Sequence, residues 1–208
     1  RNVSGTIRQR NLIQRISPTG QTNQYIWGSS SAIEQCITDI ALQSNQFVYI
    51  TGSMHNGGNG YDAFAGRVTN STIRPSWEVY PSPGSSRGDF GRAIVYGADG
   101  VYIASEWSGG SGGVWLTRYD TSGAIIWQTL CPSSAPEFNY VHDLGQDDSH
   151  IYAVGSTGEE YWEWDRESDK ADGIILKVCK DSGVVDQSWR FGTTSNDIAS
   201  SIFVGSDY

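Results

Sequence analysis

The feature that most constrains the fold of this sequence is a strand-like unit that recurs about every 50 residues. The run VYITGS at 48–53 returns as VYIASE at 101–106 and as IYAVGS at 151–156. An apolar segment and a tight polar turn belong to each repeat. The apolar segments share one register position, occupied by Ile40, Ile94, Leu144 and Ile202. A period of this length indicates one supersecondary unit repeated along the chain.

Each repeat contains strand and turn signals for four short strands. A third strand follows the VYITG-type strand, at 62–68, 113–119 and 172–178, and a fourth carries one tryptophan each time. The runs are rich in Val, Ile, Tyr and Trp and are separated by Gly, Asn and Asp, which is typical of β-hairpins. With 25 glycines in 208 residues and only 18% charged residues, the composition also favours short strands over helices or disorder.

Four antiparallel strands in each unit are typical of the blades of a β-propeller. We therefore predict an all-β fold, a four-bladed β-propeller whose blades each have strands A to D, counted outward from the central axis. One domain at 1–208 suits an all-β chain of this length. The predicted blades cover about 34–83, 89–133 and 138–192, and the fourth combines 197–208 with 1–30.

The two ends of the chain are expected to share the fourth blade. The segment DIASSIFVGS at 197–206 would be its A strand, RNVSGT at 1–6 its B strand, and RNLIQRI at 10–16 its C strand. This closure would hold both termini and remove an exposed sheet edge. An excerpt from a longer propeller is the alternative. Because the chain opens on Arg1, we also expect that a leader has been removed or that the piece was cut from something larger.

The repeats resemble the β-propeller repeat family first described for seven-bladed proteins, the SBBP-type repeats. The likeness rests on YDAFAGRV, DTSGAIIW, NDIASSI and VYITG, and it extends over essentially the whole chain. The resemblance implies a propeller, here with fewer blades than is usual in that family. It implies little about function, because one fold serves many functions.

The long connections of this chain are expected to emerge on one face. Because successive strands alternate in direction, the B–C and D–A connections of a propeller share a face, and the short A–B and C–D turns share the other. The B–C loops here are 54–61, 106–113 and 158–172. Long irregular connections are where binding residues concentrate. We therefore expect any function of this chain on the loop-rich face.

The tryptophans of the chain divide into two groups. Those that recur with the repeat, or that lie within a predicted strand, are expected to pack between blades: Trp27, Trp77, Trp115, Trp127 and Trp189. Three others lie in B–C loops, beside carboxylates and amides. A flat ring next to such groups suits a sugar, which needs stacking for its apolar face and partners for its hydroxyls. The candidate ligand contacts are Trp107, Trp162, Trp164, Tyr161, Glu160, Asp165, His55 and Asn56.

We predict a lectin-like function, in which glycans or glycoproteins are bound by these loops without catalysis. The alternative is an interaction or structural module, in which the aromatic loop folds over its own blade or packs on another subunit, including a homo-oligomer. A carbohydrate-active hydrolase or lyase, with carboxylates from Glu159, Glu160 and Glu163, is the lesser alternative. The sequence contains no serine–histidine–acid grouping that could be placed, and no phosphate loop.

A calcium site is a further hypothesis. Four oxygen-bearing residues each precede an A-strand position by five residues and would meet at the mouth of the central channel: Gln35, Asp89, Asn139 and Asp197. Oxygen ligands converging in this way suit Ca²⁺. The alternative is that each side chain caps its own turn.

The net charge, the hydropathy, the glycosylation sequons and the cysteines limit which partners and which cellular compartment suit this chain. A net charge of −9 with three lysines excludes nucleic acid on electrostatic grounds, and no apolar run is long enough for a membrane span. The sequons at Asn2 and Asn70 agree with a secreted or extracellular glycoprotein. Three cysteines, at 36, 131 and 179, favour free buried thiols, with one disulfide and a spare thiol as the alternative.

One basic residue occupies the same position in each predicted C strand: Arg15, Arg67, Arg118 and Lys177. A side chain that recurs in every repeat marks a structural position. We expect it to form an ion pair or a hydrogen bond to a neighbouring strand.

Overall fold

The structure, a computed structural model, describes residues 11–16, 19–20, 22–27, 34–44, 47–55, 60–69, 77–79, 88–107, 113–131, 140–157 and 171–205. Strands are the regular secondary structure of these ranges. They are β1 (Asn11–Ile16), β2 (Thr22–Trp27), β3 (Glu34–Leu42), β4 (Phe47–His55), β5 (Tyr61–Thr69), β6 (Trp77–Val79), β7 (Asp89–Gly97), β8 (Gly100–Trp107), β9 (Gly113–Tyr119), β10 (Ile125–Cys131), β11 (Tyr140–Gln146), β12 (His150–Ser156), β13 (Gly173–Cys179) and β14 (Val185–Phe191).

These strands form three four-stranded antiparallel sheets and a two-stranded sheet made of β1 and β2. Sheet I contains β3–β6, sheet II contains β7–β10 and sheet III contains β11–β14. Within each sheet the spatial order equals the chain order, so every sheet is a run of hairpins. The prediction of an all-β fold built from units of four antiparallel strands is confirmed for these three sheets. The described ranges hold no helix with the length and hydropathy to cross a bilayer.

Turn chemistry explains where the hairpins reverse. In the C–D turn of sheet II, Asp120 Oδ1 accepts hydrogen bonds from the backbone N–H of Ser122 at 2.8 Å and of Ala124 at 2.9 Å. Gly123 follows with a φ of 91°, in the left-handed region that favours glycine. Hydrogen bonds from the Ser122 hydroxyl and from these amides lower the pKa of Asp120. The aspartate and the glycine therefore fix this turn together.

In each of the three sheets, a tyrosine of the B strand donates a hydrogen bond to a side chain of the A–B turn before it. The hydroxyl of Tyr102 donates to Asp99 Oδ2 at 2.5 Å, and that of Tyr152 donates to Asp147 Oδ2 at 2.8 Å. In sheet I the equivalent tyrosine donates to the Gln43 side chain at 2.9 Å. Although burial opposes it, donation from Tyr152 and from two backbone amides lowers the pKa of Asp147 to about 2. The repeated VYI motif thus has a structural role.

Two of the recurring basic residues, Arg67 and Arg118, join one sheet to the next. Arg67 of sheet I donates from Nη1 to the Thr121 carbonyl in sheet II at 3.0 Å. Arg118 of sheet II donates in the same way to the Lys180 carbonyl in sheet III, at 2.8 Å. Trp127 also donates to that carbonyl, from Nε1 at 2.7 Å. The predicted structural roles of Arg67, Arg118 and Trp127 are confirmed, with a turn carbonyl of the following sheet as the acceptor.

Aspartates bridge the innermost strands at one register. Asp39 in β3 accepts the N–H of Ile40 at 2.8 Å with Oδ1, and the N–H of Ile94 in β7 at 2.8 Å with Oδ2. Asp143 in β11 repeats this arrangement, accepting Leu144 N–H at 2.8 Å and Ile202 N–H at 2.9 Å. Burial raises the pKa of Asp39, and the nearby Asp143 carboxylate adds to the rise. Each aspartate therefore fixes the register of the next inner segment.

The segment 197–205 follows sheet III in the position of an inner strand, but it is not a strand. Its Ile202 lies against Asp143 as Ile94 lies against Asp39, and Ala199 N–H donates to the Gly155 carbonyl at 3.3 Å. The prediction of a strand at 197–206 is thus wrong for the described part of that segment. A strand needs a ladder of paired backbone groups, whereas the described backbone-to-backbone hydrogen bonds of this segment are separate ones, from Asp197 to the Ala171 carbonyl at 2.7 Å and from Ala199 to the Gly155 carbonyl. The B strand predicted at 1–6 lies outside the described residues.

The two ends of the row of sheets expose apolar side chains. Ile94 and Leu144 are 5% and 6% exposed because each packs against the preceding sheet, whereas the equivalent Ile40 is 51% exposed. At the other end, Trp189 is 44% exposed and Phe203 is 93% exposed. Both flanks therefore present surface of the kind that is buried between the sheets.

The cysteines agree with the prediction in part. All three are free, as expected, but only Cys131 is fully buried, and burial raises its pKa to about 12. The expectation of burial is wrong for Cys36, which is exposed, and Cys179 is half-buried. Cys36 lies in β3, the first strand of sheet I, whose Ile40 is also exposed.

Replacing Asp39 with Ala should lower the free energy of unfolding by about 1–3 kcal/mol, because two backbone N–H groups lose their acceptor. Urea denaturation at neutral pH measures the change. The control is Asp148→Ala, an exposed aspartate in an A–B turn, which should change the free energy by less than about 0.5 kcal/mol. Equal effects of the two substitutions would contradict the bridging role.

Candidate functional site

The long connections leave all three sheets from the same edge, as predicted. In sheet II the first residue of β7, the last of β8 and the first of β9 are paired side by side: Asp89, Trp107 and Gly113. Sheet I pairs Glu34, His55 and Tyr61 in the same way. The B–C and D–A connections start and end here, and the short turns lie at the opposite edge. We call this the loop-rich edge.

The structure describes only part of the predicted ligand-binding set. His55 and Trp107 lie at the loop-rich edge, at the ends of β4 and β8. The other predicted contacts lie outside the described residues: Asn56, Glu160, Tyr161, Trp162, Trp164 and Asp165. His55 belongs to sheet I and Trp107 to sheet II, so these two residues come from different sheets.

Aromatic side chains run along the loop-rich edge from sheet I to sheet II. The ring of His55 contacts that of Tyr61 edge-on, with centroids 5.2 Å apart. Tyr61 in turn contacts Phe90 of sheet II, at 5.5 Å. The guanidinium of Arg92 then lies over the Phe90 ring, 5.2 Å from its centroid. His55 is thus one end of an aromatic row that crosses the boundary between two sheets.

A partly buried ion pair between Arg92 and Glu106 links the end of this aromatic row to sheet III. Arg92 contacts Glu106 Oε2 through Nε at 2.7 Å and through Nη2 at 2.6 Å. The other oxygen of Glu106 accepts the N–H of Val141, in the first strand of sheet III, at 3.2 Å. The Glu106 side chain is 9% exposed and that of Arg92 is 39% exposed. The buried carboxylate therefore holds a guanidinium whose outer side faces solvent.

Trp107 directly follows Glu106 in the sequence. Its side chain is half-buried, and its indole Nε1 is buried with no acceptor among the described residues. The paired residue of β7 is Asp89, which is 1% exposed. A tryptophan in this setting keeps part of its ring available for contact, as a stacking platform requires.

The residues predicted to bind a metal do not form a cluster within the described ranges. Gln35 donates from Nε2 to the Met54 sulfur at 2.9 Å. Asp197 Oδ2 accepts the backbone N–H of Thr193 at 2.5 Å and its hydroxyl at 2.9 Å, so it caps its own turn. Asn139 lies outside the described residues, and no group of three His, Cys, Asp or Glu side chains suited to a metal is found among the rest. Calcium binding stays a prediction.

The sequence analysis did not identify three residues of the inner strands, which lie two to four positions along β3, β7 and β11 from the loop-rich edge. Each inner strand has a β-bulge two residues before its register position, and the extra residue is Thr38, Arg92 or His142. We call these three residues the bulge rim. Bulges redirect side chains and are common beside functional sites. The available signal was a polar residue at one register position of three largely apolar inner strands.

Contacts between the sheets place the rim residues side by side. The Thr38 hydroxyl donates to the Gly91 carbonyl at 2.6 Å, next to Arg92. Glu106, the partner of Arg92, bonds Val141, next to His142. Asp143, which follows His142, accepts a backbone N–H group with each of its carboxylate oxygens.

The chain has a distant similarity to two solved structures. No protein-family model matches the chain, and no curated protein matches its sequence. The chain is similar to a neuraminidase-like protein from A/bat/Guatemala/164/2009, at 9% identity over 69% of this chain and 35% of that one, with a TM-score of 0.42. It is also similar to a subtype N10 neuraminidase-like protein of A/little yellow-shouldered bat/Guatemala/060/2010, at 11% identity over 77% and 44%, with a TM-score of 0.43.

The chain spans less than half the length of either structure. The likeness to SBBP-type repeats, which no family model matches, stays a resemblance.

Substituting Glu106 with Gln should lower the free energy of unfolding by about 1–3 kcal/mol, because the charge of Arg92 loses its counter-ion. The exposure of Arg92 keeps the loss below the roughly 3–5 kcal/mol seen for fully buried pairs. The matched control is Asp172→Asn, which breaks the more exposed pair with Arg190 and should cost less than about 1 kcal/mol. Denaturant titration of both variants tests this, and losses of equal size would refute it.

Proposed function

We propose that this protein is a β-propeller that binds carbohydrate at its loop-rich edge and does not catalyse a reaction. The observation that carries the proposal is the convergence of the B–C and D–A connections of three sheets on one edge, beside an aromatic row. Trp107, Trp162 and Trp164 are the proposed stacking platforms. His55, Asn56, Glu160, Tyr161 and Asp165 are the proposed partners of sugar hydroxyls.

The chemistry of the described edge supports a sugar ligand. Trp107 is half-buried, and the Arg92 guanidinium beside Phe90 offers N–H donors to solvent. Sugars bind through the combination of an aromatic face with fixed hydrogen-bonding groups. Platforms on different sheets also allow several weak contacts with one glycan chain, and such contacts raise its avidity. A net charge of −9 disfavours nucleic acid as the partner.

The proposed propeller has four blades, the fourth combining residues from both ends of the chain. Two placements support it: β1 contacts β3, as β5 contacts β7, and the segment 197–205 follows β11. Burial of the exposed apolar side chains at the two flanks is the proposed driving force for closing the ring. Covering side chains such as Ile40 and Phe203 would contribute about 25 cal/mol for each Å² of apolar surface removed from water.

Closure of the ring predicts that Phe203→Asp strongly destabilises the protein, although Phe203 is 93% exposed in the structure. A charge buried by the fourth blade should lower the free energy of unfolding by more than about 2 kcal/mol. Ile126→Asp is the control, because Ile126 is 47% exposed on sheet II, which already has a sheet on either side. Its effect should stay below about 0.5 kcal/mol. A Phe203→Asp variant as stable as the wild type would exclude closure.

A glycan array tests the carbohydrate function. Wild-type protein should bind a defined set of glycans, and Trp162→Ala or Trp107→Ala should weaken binding at least tenfold, because each removes a stacking surface. Ile126→Ala, at an exposed position of an outer strand, should bind like the wild type.

The other outcomes of that array distinguish the alternatives. No glycan binding by the wild type, together with self-association that Trp162→Ala abolishes, would replace the lectin function with an interaction module. Hydrolysis or elimination of a bound glycan that is lost in Glu159→Gln or Glu160→Gln would instead identify an enzyme.

A further inference from the structure

We infer that the bulge rim, Thr38, Arg92 and His142, is the central sugar subsite of this protein and that it accepts neutral vicinal hydroxyls in preference to carboxylated sugars. The inference rests on the proposed carbohydrate function and adds residues and a ligand class to it. Arg92 anchors the subsite, because it is the permanently charged member of the rim.

The geometry prepares Arg92 to donate hydrogen bonds to a ligand. Two of its nitrogens are fixed on Glu106, and its guanidinium rests on Phe90, so its orientation is set before a ligand arrives. Nη1 forms no hydrogen bond with any described residue, and the side chain is 39% exposed. A fixed planar donor of this kind loses little side-chain entropy on binding.

Thr38, a neighbour of Arg92 on the rim, supplies the complementary group. Thr38 is an exposed residue with a partly buried hydroxyl, and because the hydroxyl proton is shared between the Gly91 and Thr51 carbonyls at 2.6 and 3.3 Å, its lone pairs can accept. The half-buried imidazole of His142 lies on the other side of Arg92. Two adjacent hydroxyls of a sugar can therefore accept from Arg92 and donate to Thr38. A vicinal diol matches this alternation of donor and acceptor.

The charges around the rim oppose an anionic ligand. Glu106 offsets the positive charge of Arg92 at 2.6 Å. The next residue after each of the outer rim members is an aspartate, Asp39 and Asp143, and the whole chain carries a net charge of −9. A sugar carboxylate placed on Arg92 would meet this negative field at close range, whereas a neutral diol would not. Electrostatics therefore decides between two ligands that Arg92 alone would accept.

The experiment measures the affinity of the wild-type protein for paired neutral and uronic-acid-terminated glycans of the same linkage, by calorimetry at low and high salt. Neutral glycans should bind at least tenfold more tightly, with little change with salt because no ligand charge is screened. Arg92→Gln should weaken neutral binding tenfold or more, through the loss of a charge-assisted donor. Arg92→Lys keeps the charge but not the planar donor, and should also bind weakly.

Arg67→Gln is the control, since it removes the same charge at the opposite edge of the sheets and should leave affinity unchanged. Thermal melts establish which variants fold, and if Arg92→Gln does not fold, Arg92→Lys carries the test. Wild-type preference for uronate glycans, or normal binding by a folded Arg92 variant, would overturn the subsite while leaving carbohydrate binding intact. A wild type that binds no glycan of either kind would overturn both proposals.

Discussion

The structure depends on the way one sheet fixes the first strand of the next. Asp39 and Asp143 each use both carboxylate oxygens, one on their own strand and one on the following inner segment. The arrangement fixes the register of that segment, because a slip by one residue would move away the N–H group that the carboxylate binds. Neighbouring sheets are therefore aligned by directional bonds as well as by apolar packing.

This alignment separates the two edges chemically. At the short-turn edge, repeated side chains such as Arg67, Arg118 and Trp127 bind carbonyls of the next sheet, and the B-strand tyrosines bind their own turns. At the loop-rich edge the corresponding positions differ from one sheet to another, as in the bulge rim. Stability is thus provided largely by what the repeats share, and the groups proposed to bind a ligand are among those that the repeats do not share.

The same division explains how far the sequence could predict the structure. Strand runs, turn residues and the recurring register predicted the three sheets and the roles of Arg67 and Trp127, because each is encoded locally and repeated. The Arg92–Glu106 pair could not be predicted, since it depends on a bulge that breaks the alternation of β7 and on residues 14 positions apart. Asp197 was predicted as a metal ligand from spacing alone. Spacing cannot reveal that its carboxylate accepts hydrogen bonds from the backbone N–H and the hydroxyl of Thr193.

The two aspartate bridges also have a direction: sheet I binds the first strand of sheet II, and sheet III binds the segment that follows it. Such head-to-tail contacts are heterologous, and a heterologous contact can be made within one molecule or between two copies. The hydrogen bond from Ile202 N–H to Asp143 involves only the last few described residues. The same segment of a second molecule can donate the same bond. Domain-swapped oligomers that grow with protein concentration are therefore the characteristic misassembly of this architecture, and dilute refolding is the condition that avoids them.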